Sequence, residues 1–271
     1  MLNVLEISRY RNRQFKKLFN NDDNIMQKLE LIPSLIQMLP DIRDKSQTDC
    51  YNAAFKKTYK LSENDNVREI FNSISERQSW GGGKETVSGM GSQMISTKTL
   101  RSCLGRWISK YDIHKIVDVP CGDCNWQHAI PGIENIQYFG FDISENSIKR
   151  AKEKNPYWTF REMDITSTVP PEADLIIIRD CIQHLPLEMG KRAIANACKS
   201  NSTWLGISTY DKVQQNKVIS IGGYYPNNLL KPPFNFPDPK EECDNYFGAE
   251  NLMHPNSKFY LMNITEINKF L

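Results

Sequence analysis

No apolar run in this sequence approaches the length of a membrane-crossing helix, so a membrane-embedded chain is not expected. The opening stretch, MLNVLEISRYRNRQF, lacks the apolar core of a secretion signal, which makes the cytoplasm the expected compartment. Charge of either sign is scarcely in excess: 34 Lys and Arg against 32 Asp and Glu leave a net charge of +2. Dedicated nucleic-acid binders concentrate basic charge, so nucleic acid is not an expected partner. The early cluster Arg9, Arg11, Arg13, Lys16 and Lys17 is soon followed by Asp22 and Asp23 and reads as a solvated helix face. The seven cysteines are scattered and odd in number, as suits reduced thiols. Cys121-x-x-Cys124 has the spacing of a chelating or redox pair, but no second CxxC or paired His completes a zinc set, so no metal is expected. The GxGxxG of dinucleotide folds and the GKS/T ending of a nucleotide P-loop are also missing.

What is present suits a globular chain. At 271 residues, 39% hydrophobic and with a mean hydropathy of −0.54, the chain can bury one substantial core. Residues 1–70 are polar, with Ile25, Leu29, Ile32, Ile36 and Leu39 spaced along one helix face. Pro33 interrupts that register and Pro40 ends it. Leu61–Asn64 reads as a turn into another helix. This segment is expected to be a helical extension on a main domain covering 71–271. Residues 80–92, WGGGKETVSGMGS, form a glycine-rich loop. A helix follows it, with Ser96 or Thr97 near the N-cap and Leu100, Leu104, Trp107 and Ile108 on its apolar face.

From there strands and helices alternate. Strands are expected at 115–119, 138–143, 158–164, 173–180 and 203–209, with a last one at 258–264. Helices are expected after Ser144 and over 187–199. Such alternation predicts a parallel sheet covered on both faces. Residues 211–257, rich in Asn, Pro and Gly, read as a long irregular loop.

Ligands of open parallel sheets bind beyond the carboxyl ends of the strands. There the sequence places IVDVPCGDCNW (116–126), Asp142, Asp164 and the segment Arg179 to His184. The first turn has one glycine flanked by carboxylates, which suits a cationic sulfonium with an α-amino group better than a pyrophosphate. Asp142, 20 residues after Gly122, suits two ribose hydroxyls, and Asp164, 22 residues further on, suits an exocyclic adenine amine.

These segments resemble the glycine motif, ribose acid and adenine loop of class I S-adenosylmethionine-dependent methyltransferases, and DLIIIRDCIQHLP (174–186) is similar to their segment after strand four. The glycine-rich loop taken with DVPCGDCNW and IIIRDCIQHLP more narrowly resembles a subgroup of poorly defined substrate. The chain departs from the usual glycine motif at Asp123, Cys124 and Asn125, where the family carries further glycines. The resemblance implies an α/β fold: a Rossmann-like seven-stranded sheet with helices on both faces. It also implies S-adenosyl-L-methionine as cofactor. Asp118, Pro120, Gly122 and Asp123 would line the methionine moiety, Asp142 and Ile143 the ribose, and Asp164 and Ile165 the adenine. Arg179, Asp180 and Cys181 would sit beside the sulfonium and the acceptor.

On the acceptor side His184 is the candidate base, with Asp180 one helical turn before it to orient it or share the proton. Trp80 is a candidate cover for the cofactor or a core aromatic. The loop is either a hinge or a nest that binds an anionic group of the acceptor, with Lys84, Ser88, Ser92 and Arg179 as candidate ligands. Tyr210, Tyr224 and Tyr225 are expected to shape the acceptor pocket or to pack beneath the long loop. The expected activity is O- or N-methylation of a small polar metabolite, phosphorylated or carboxylate-bearing. The alternatives are a non-catalytic cofactor-binding module serving a partner protein, and a protein or RNA methyltransferase. The NPPY-like motif of adenine and amide N-methyltransferases is missing after strand four.

Overall fold

The structure, a computed structural model, describes residues 66–271. The basic cluster, the helix face from Ile25 to Leu39 and the turn at Leu61–Asn64 lie outside the described residues.

Seven strands form one sheet: β1 (Lys115–Asp118), β2 (Gln137–Asp142), β3 (Thr159–Glu162), β4 (Leu175–Ile178), β5 (Trp204–Tyr210), β6 (Glu241–Asp244) and β7 (Ser257–Asn263). Their order is β3-β2-β1-β4-β5-β7-β6. The first five strands pair in parallel, and β7 runs antiparallel to both β5 and β6. The chain builds outward from β1 to β3, then returns to the other side of β1 with β4. The reversal leaves a crevice beyond the ends of β1 and β4, where open α/β sheets bind ligands.

β4 shows why the sheet is central. All four residues of Leu175–Ile178 are buried, and the run is strongly β-branched. Its side chains alternate between two cores, as a strand's period of two requires. Ile176 and Ile178 join Ala193, Ile194 and Ala197 of α4 (Leu187–Cys198). Leu175 and Ile177 join Leu100, Leu104 and Trp107 of α2 (Lys98–Lys110) and Ile148 of α3 (Glu145–Lys154). Helices therefore cover both faces, as expected.

Most element boundaries fall within two residues of the sequence expectation. Ser144 caps α3 by accepting from the Ser147 amide at 3.3 Å. Thr97 stands at the start of α2 but does not cap it, because its hydroxyl donates back to the carbonyls of Gln93 and Met94. The segment 211–257 is not wholly irregular: it contains β6 and α5 (Ala249–Met253). β6, with the sequence EECD, is a polar edge strand paired only with β7, so it has no apolar alternation to read. A short α6 (Ile264–Ile267) ends the fold. The expected boundary at residue 70 falls inside α1 (Val67–Glu76), which packs on α3 through Ser75 and Ser147. Among the described residues, no helix is long and apolar enough to cross a membrane.

Truncating a fully buried side chain of the central strand removes transfer energy and leaves a cavity. Ile176→Ala is expected to lower unfolding free energy by about 2–5 kcal/mol in equilibrium denaturation. A loss below about 1 kcal/mol would contradict the placement of β4 at the centre.

Candidate active site

The crevice opens into a cleft of about 940 Å³, part of it open to solvent, lined from the ends of β1, β2, β3 and β4. Asp118 closes β1 and is 1% exposed. Its Oδ2 accepts from Gln127 Nε2 at 2.8 Å and from the Tyr138 hydroxyl at 2.6 Å. Among the described residues no hydrogen bond falls on Oδ1, so that oxygen retains its accepting capacity. Burial raises the Asp118 pKa to about 7, against the opposing hydrogen bonds and the more distant Arg179.

Asp142 ends β2. Its Oδ2 accepts from the Gly122 amide at 2.9 Å and its Oδ1 from the Ser144 amide at 2.8 Å. Each carboxylate oxygen keeps a lone pair for a hydroxyl donor. Burial raises the Asp142 pKa to about 6, with the backbone amides of Ser144, Gly122 and Ile143 opposing. Asp164 lies after β3, where Oδ1 accepts from the Thr166 amide and hydroxyl at 2.8 and 2.7 Å. This Asx-type turn fixes the adjoining Ile165 at the cleft wall. Ile143, Met163 and Phe71 add apolar surface. Phe71, like Val67, comes from α1, and no motif in the sequence signals its part in the site. Pro120, Arg179, Cys181 and Ser92 also line the cleft.

Asp123 does not line it. Its carboxylate is 1% exposed and lies beneath the glycine-rich loop. There it accepts from the hydroxyls of Thr86 (2.6 Å) and Ser88 (2.9 Å), the Val87 amide (3.2 Å) and Lys154 Nζ (2.7 Å). Its own amide donates to Ser88 Oγ at 2.9 Å. Asn125 completes the clamp by donating to Glu85 Oε1 and the Ser92 carbonyl and accepting from Lys154. The loop is thus a nest whose anion is supplied by the protein itself. Ser88 points inward, while Lys84 is exposed and lines neither this cleft nor the cavity beside it. Gly122 needs its missing side chain for the same reason. Its φ is +59°, and a Cβ there would lie 2.3 Å from Ser88 Oγ. The close approach at this turn is made by the loop, and Gly122 also lines the cleft.

A second cavity, about 420 Å³ of empty space, shares Trp80, Ser88, Asp180 and His184 with the cleft. Tyr210 and Tyr224 line it, and so do Tyr246, Glu250 and His254, which sequence reasoning did not single out. The rings of Trp80 and His184 stack at 4.5 Å where the two spaces meet. His184 Nδ1 lies 2.8 Å from the Gly223 carbonyl oxygen. A carbonyl only accepts, so Nδ1 carries the proton and Nε2 presents a lone pair. Burial lowers the His184 pKa, outweighing the carbonyl contact and Asp180. The group that orients His184 is therefore Gly223, not Asp180 as expected.

Asp180 is held elsewhere. It pairs with Arg179 Nη1 at 3.1 Å and accepts from Asn245 Nδ2 at 2.9 Å and Gln183 Nε2 at 3.2 Å. Burial alone would raise its pKa, but Arg179 and the hydrogen bonds from Asn245, Tyr246 and Gln183 lower it. Asp180 is a fixed charge and a weak base. Arg179 in turn donates to the Gly91 carbonyl at 2.9 Å and to Asn245 Oδ1 at 2.9 Å, with the rings of Trp126 and Tyr246 within 5.3 Å. Cys121 and Cys124 are buried thiols held protonated, chiefly by burial.

The sheet order and the strand-end cleft define a Rossmann-like α/β domain with the seven-stranded sheet expected from the sequence. Residues 116–201, from β1 to the turn before β5, match the family described as "Methyltransferase domain". No curated protein matches the chain. Among solved structures, the chain is similar to magnesium protoporphyrin IX methyltransferase of Synechocystis PCC 6803 with bound SAH. Identity is 21% and the TM-score 0.42, over 55% of this chain and 72% of that one. A Pyrococcus horikoshii OT3 protein, PH0226, is 17% identical with a TM-score of 0.45, over 62% and 88%. Over residues 116–201 the chain carries a methyltransferase domain.

The carboxylates at the cleft give a pH signature. A carboxyl whose folded pKa is raised stabilises the empty protein below its unfolded pKa and loses that contribution as pH rises through the folded value. A bound ammonium or hydroxyl donor favours the ionised forms of Asp118 and Asp142. Cofactor affinity is therefore expected to rise about tenfold between about pH 6 and pH 8, with proton release, in isothermal titrations run in two buffers of different ionisation enthalpy. A flat or falling affinity would contradict the assignment.

Proposed function

We propose that this chain transfers a methyl group from S-adenosylmethionine in the cleft to a small polar acceptor in the adjoining cavity. The observation that carries this reading is the meeting of the two spaces at Trp80, Asp180 and His184, directly after β4.

In this reading Asp118 Oδ1 takes the cofactor's α-ammonium, Asp142 its ribose hydroxyls, and Asp164 with Ile165 the adenine edge. Asp142 suits that role because both its oxygens are already aimed by backbone amides. When bound, S-adenosylmethionine supplies an electrophilic methyl carbon on a sulfonium. The task left to the protein is alignment, exclusion of water and removal of one proton from the acceptor. His184 Nε2 suits proton removal, being neutral and backed by a carbonyl that fixes its tautomer. Asp180 contributes constant negative potential beside it. Trp80 covers the junction by stacking on His184.

Three of the loop's donors, the Thr86 and Ser88 hydroxyls and the Val87 amide, converge on Asp123 and so do not themselves support an anionic acceptor.

SAH binding tests the cofactor reading without knowledge of the acceptor. Asp142→Asn keeps shape but removes the charge that strengthens hydroxyl hydrogen bonds. It is expected to weaken SAH binding by about 10- to 100-fold in isothermal titration, a loss of about 1.5–3 kcal/mol. Absence of wild-type binding at millimolar SAH, or unchanged affinity in the variant, would overturn it.

A further inference from the structure

We propose that the second cavity is built for a protonated amine, so that the chain is an N-methyltransferase of a small primary or secondary amine. This rests on the methyl-transfer reading above and names the acceptor class for the same site.

The cavity's charged side chains are carboxylates, set among the hydroxyls of Ser88, Tyr210, Tyr224 and Tyr246 and the unpartnered Nε1 donor of Trp80. Asp180 and Glu250 both line it, and among the described residues no Lys or Arg does. Arg179 neutralises Asp180 from outside the cavity. Glu250 is 8% exposed, and its nearest cationic candidate is His254, with Nε2 at 3.7 Å. No Lys or Arg pairs with Glu250 among the described residues. A buried carboxylate without a permanent counter-charge is costly unless a cation joins it.

A second, independent observation is Gln183, which also lines the cavity and is 2% exposed. Its amide nitrogen must face Asp180, because an ionised carboxylate only accepts. That leaves Oε1 as the other amide atom, and Oε1 is buried with no hydrogen-bond partner. An unmatched buried acceptor calls for a donor. His184 Nε2 is a further acceptor in the same space, because Nδ1 carries the ring proton.

The walls suit a cation as well. The rings of Trp80, Tyr210, Tyr224 and Tyr246 line the cavity and present aromatic surface. An ammonium here, whose nitrogen is also the reacting atom, would share that nitrogen between these acceptors and His184.

The chemistry balances. The ammonium first gives one proton to His184 Nε2. The freed lone pair on nitrogen forms the bond to the methyl carbon as the carbon–sulfur bond breaks, and that electron pair stays on sulfur. The product ammonium carries the positive charge that the sulfonium loses.

Three probes with one skeleton test the class: phenethylamine, 2-phenylethanol and phenylacetate, titrated into protein saturated with SAH. The amine is expected to bind at least tenfold more tightly than the alcohol or the carboxylate. Only the amine should release SAH when S-adenosylmethionine replaces SAH. In Glu250→Gln the tenfold preference should fall at least fivefold, while SAH affinity changes less than twofold. An equal or reversed order of the three probes in wild-type protein would overturn the proposal, as would failure of the amine to bind while SAH binds. Failure of SAH itself to bind would instead defeat the cofactor reading. The wild-type comparison stands whether or not the variant folds.

Discussion

The site depends on one buried carboxylate. Asp123 collects two hydroxyls and one backbone amide from a loop 35 to 37 residues earlier in the chain, and one lysine ammonium from α3. A carboxylate this deeply buried is tolerable only when its accepting sites are filled. The glycine-rich loop and Lys154 fill them. In exchange the loop is pinned across the turn after β1. The two most unusual stretches of the sequence, WGGGKETVSGMGS and PCGDCNW, are therefore two halves of one contact.

That contact positions the rest of the site. With the loop pinned, the Gly91 carbonyl stands where Arg179 can donate to it, and Arg179 also grips Asn245 after β6. Three distant segments meet on one guanidinium at the end of β4. Asp180, paired to the same arginine, stays ionised. Trp80, at the start of the loop, stacks on His184 and forms the wall shared by the two cavities. The long segment after β5 contributes through Gly223, whose carbonyl fixes the His184 tautomer, and through Tyr224 in the second cavity.

The scaffold is largely legible in the sequence because its signals are local. A β-branched run such as Ile176–Ile178 and a strand-end acid such as Asp142 are visible in a short window, and alternation of strands and helices gives the sheet type. The glycine-motif departures at Asp123 and Asn125 cannot be understood in the same way. Their partners, Thr86, Ser88 and Glu85, lie 35 to 40 residues away, and no periodicity links them. The loop's donors are legible as an anion nest, but its anion belongs to the protein. Asp180 is matched to His184 by one helical turn, yet a left-handed φ of +49° at Asp180 sends the chain elsewhere. β6 and Glu250 carry no pattern because an edge strand and a five-residue helix have little apolar face to repeat.

The pinning of the glycine-rich loop rests on Asp123 being its anion. Amide hydrogen exchange at Val87 reads this most directly, in wild-type protein and in Asp123→Asn, each with and without about 10 mM phosphate as an excess over a weak anion site. The expected result is a protected Val87 amide in wild-type protein that phosphate leaves unchanged, and at least tenfold faster exchange in the variant. A Val87 amide that exchanges freely in wild-type protein and becomes protected only when phosphate is added would contradict it.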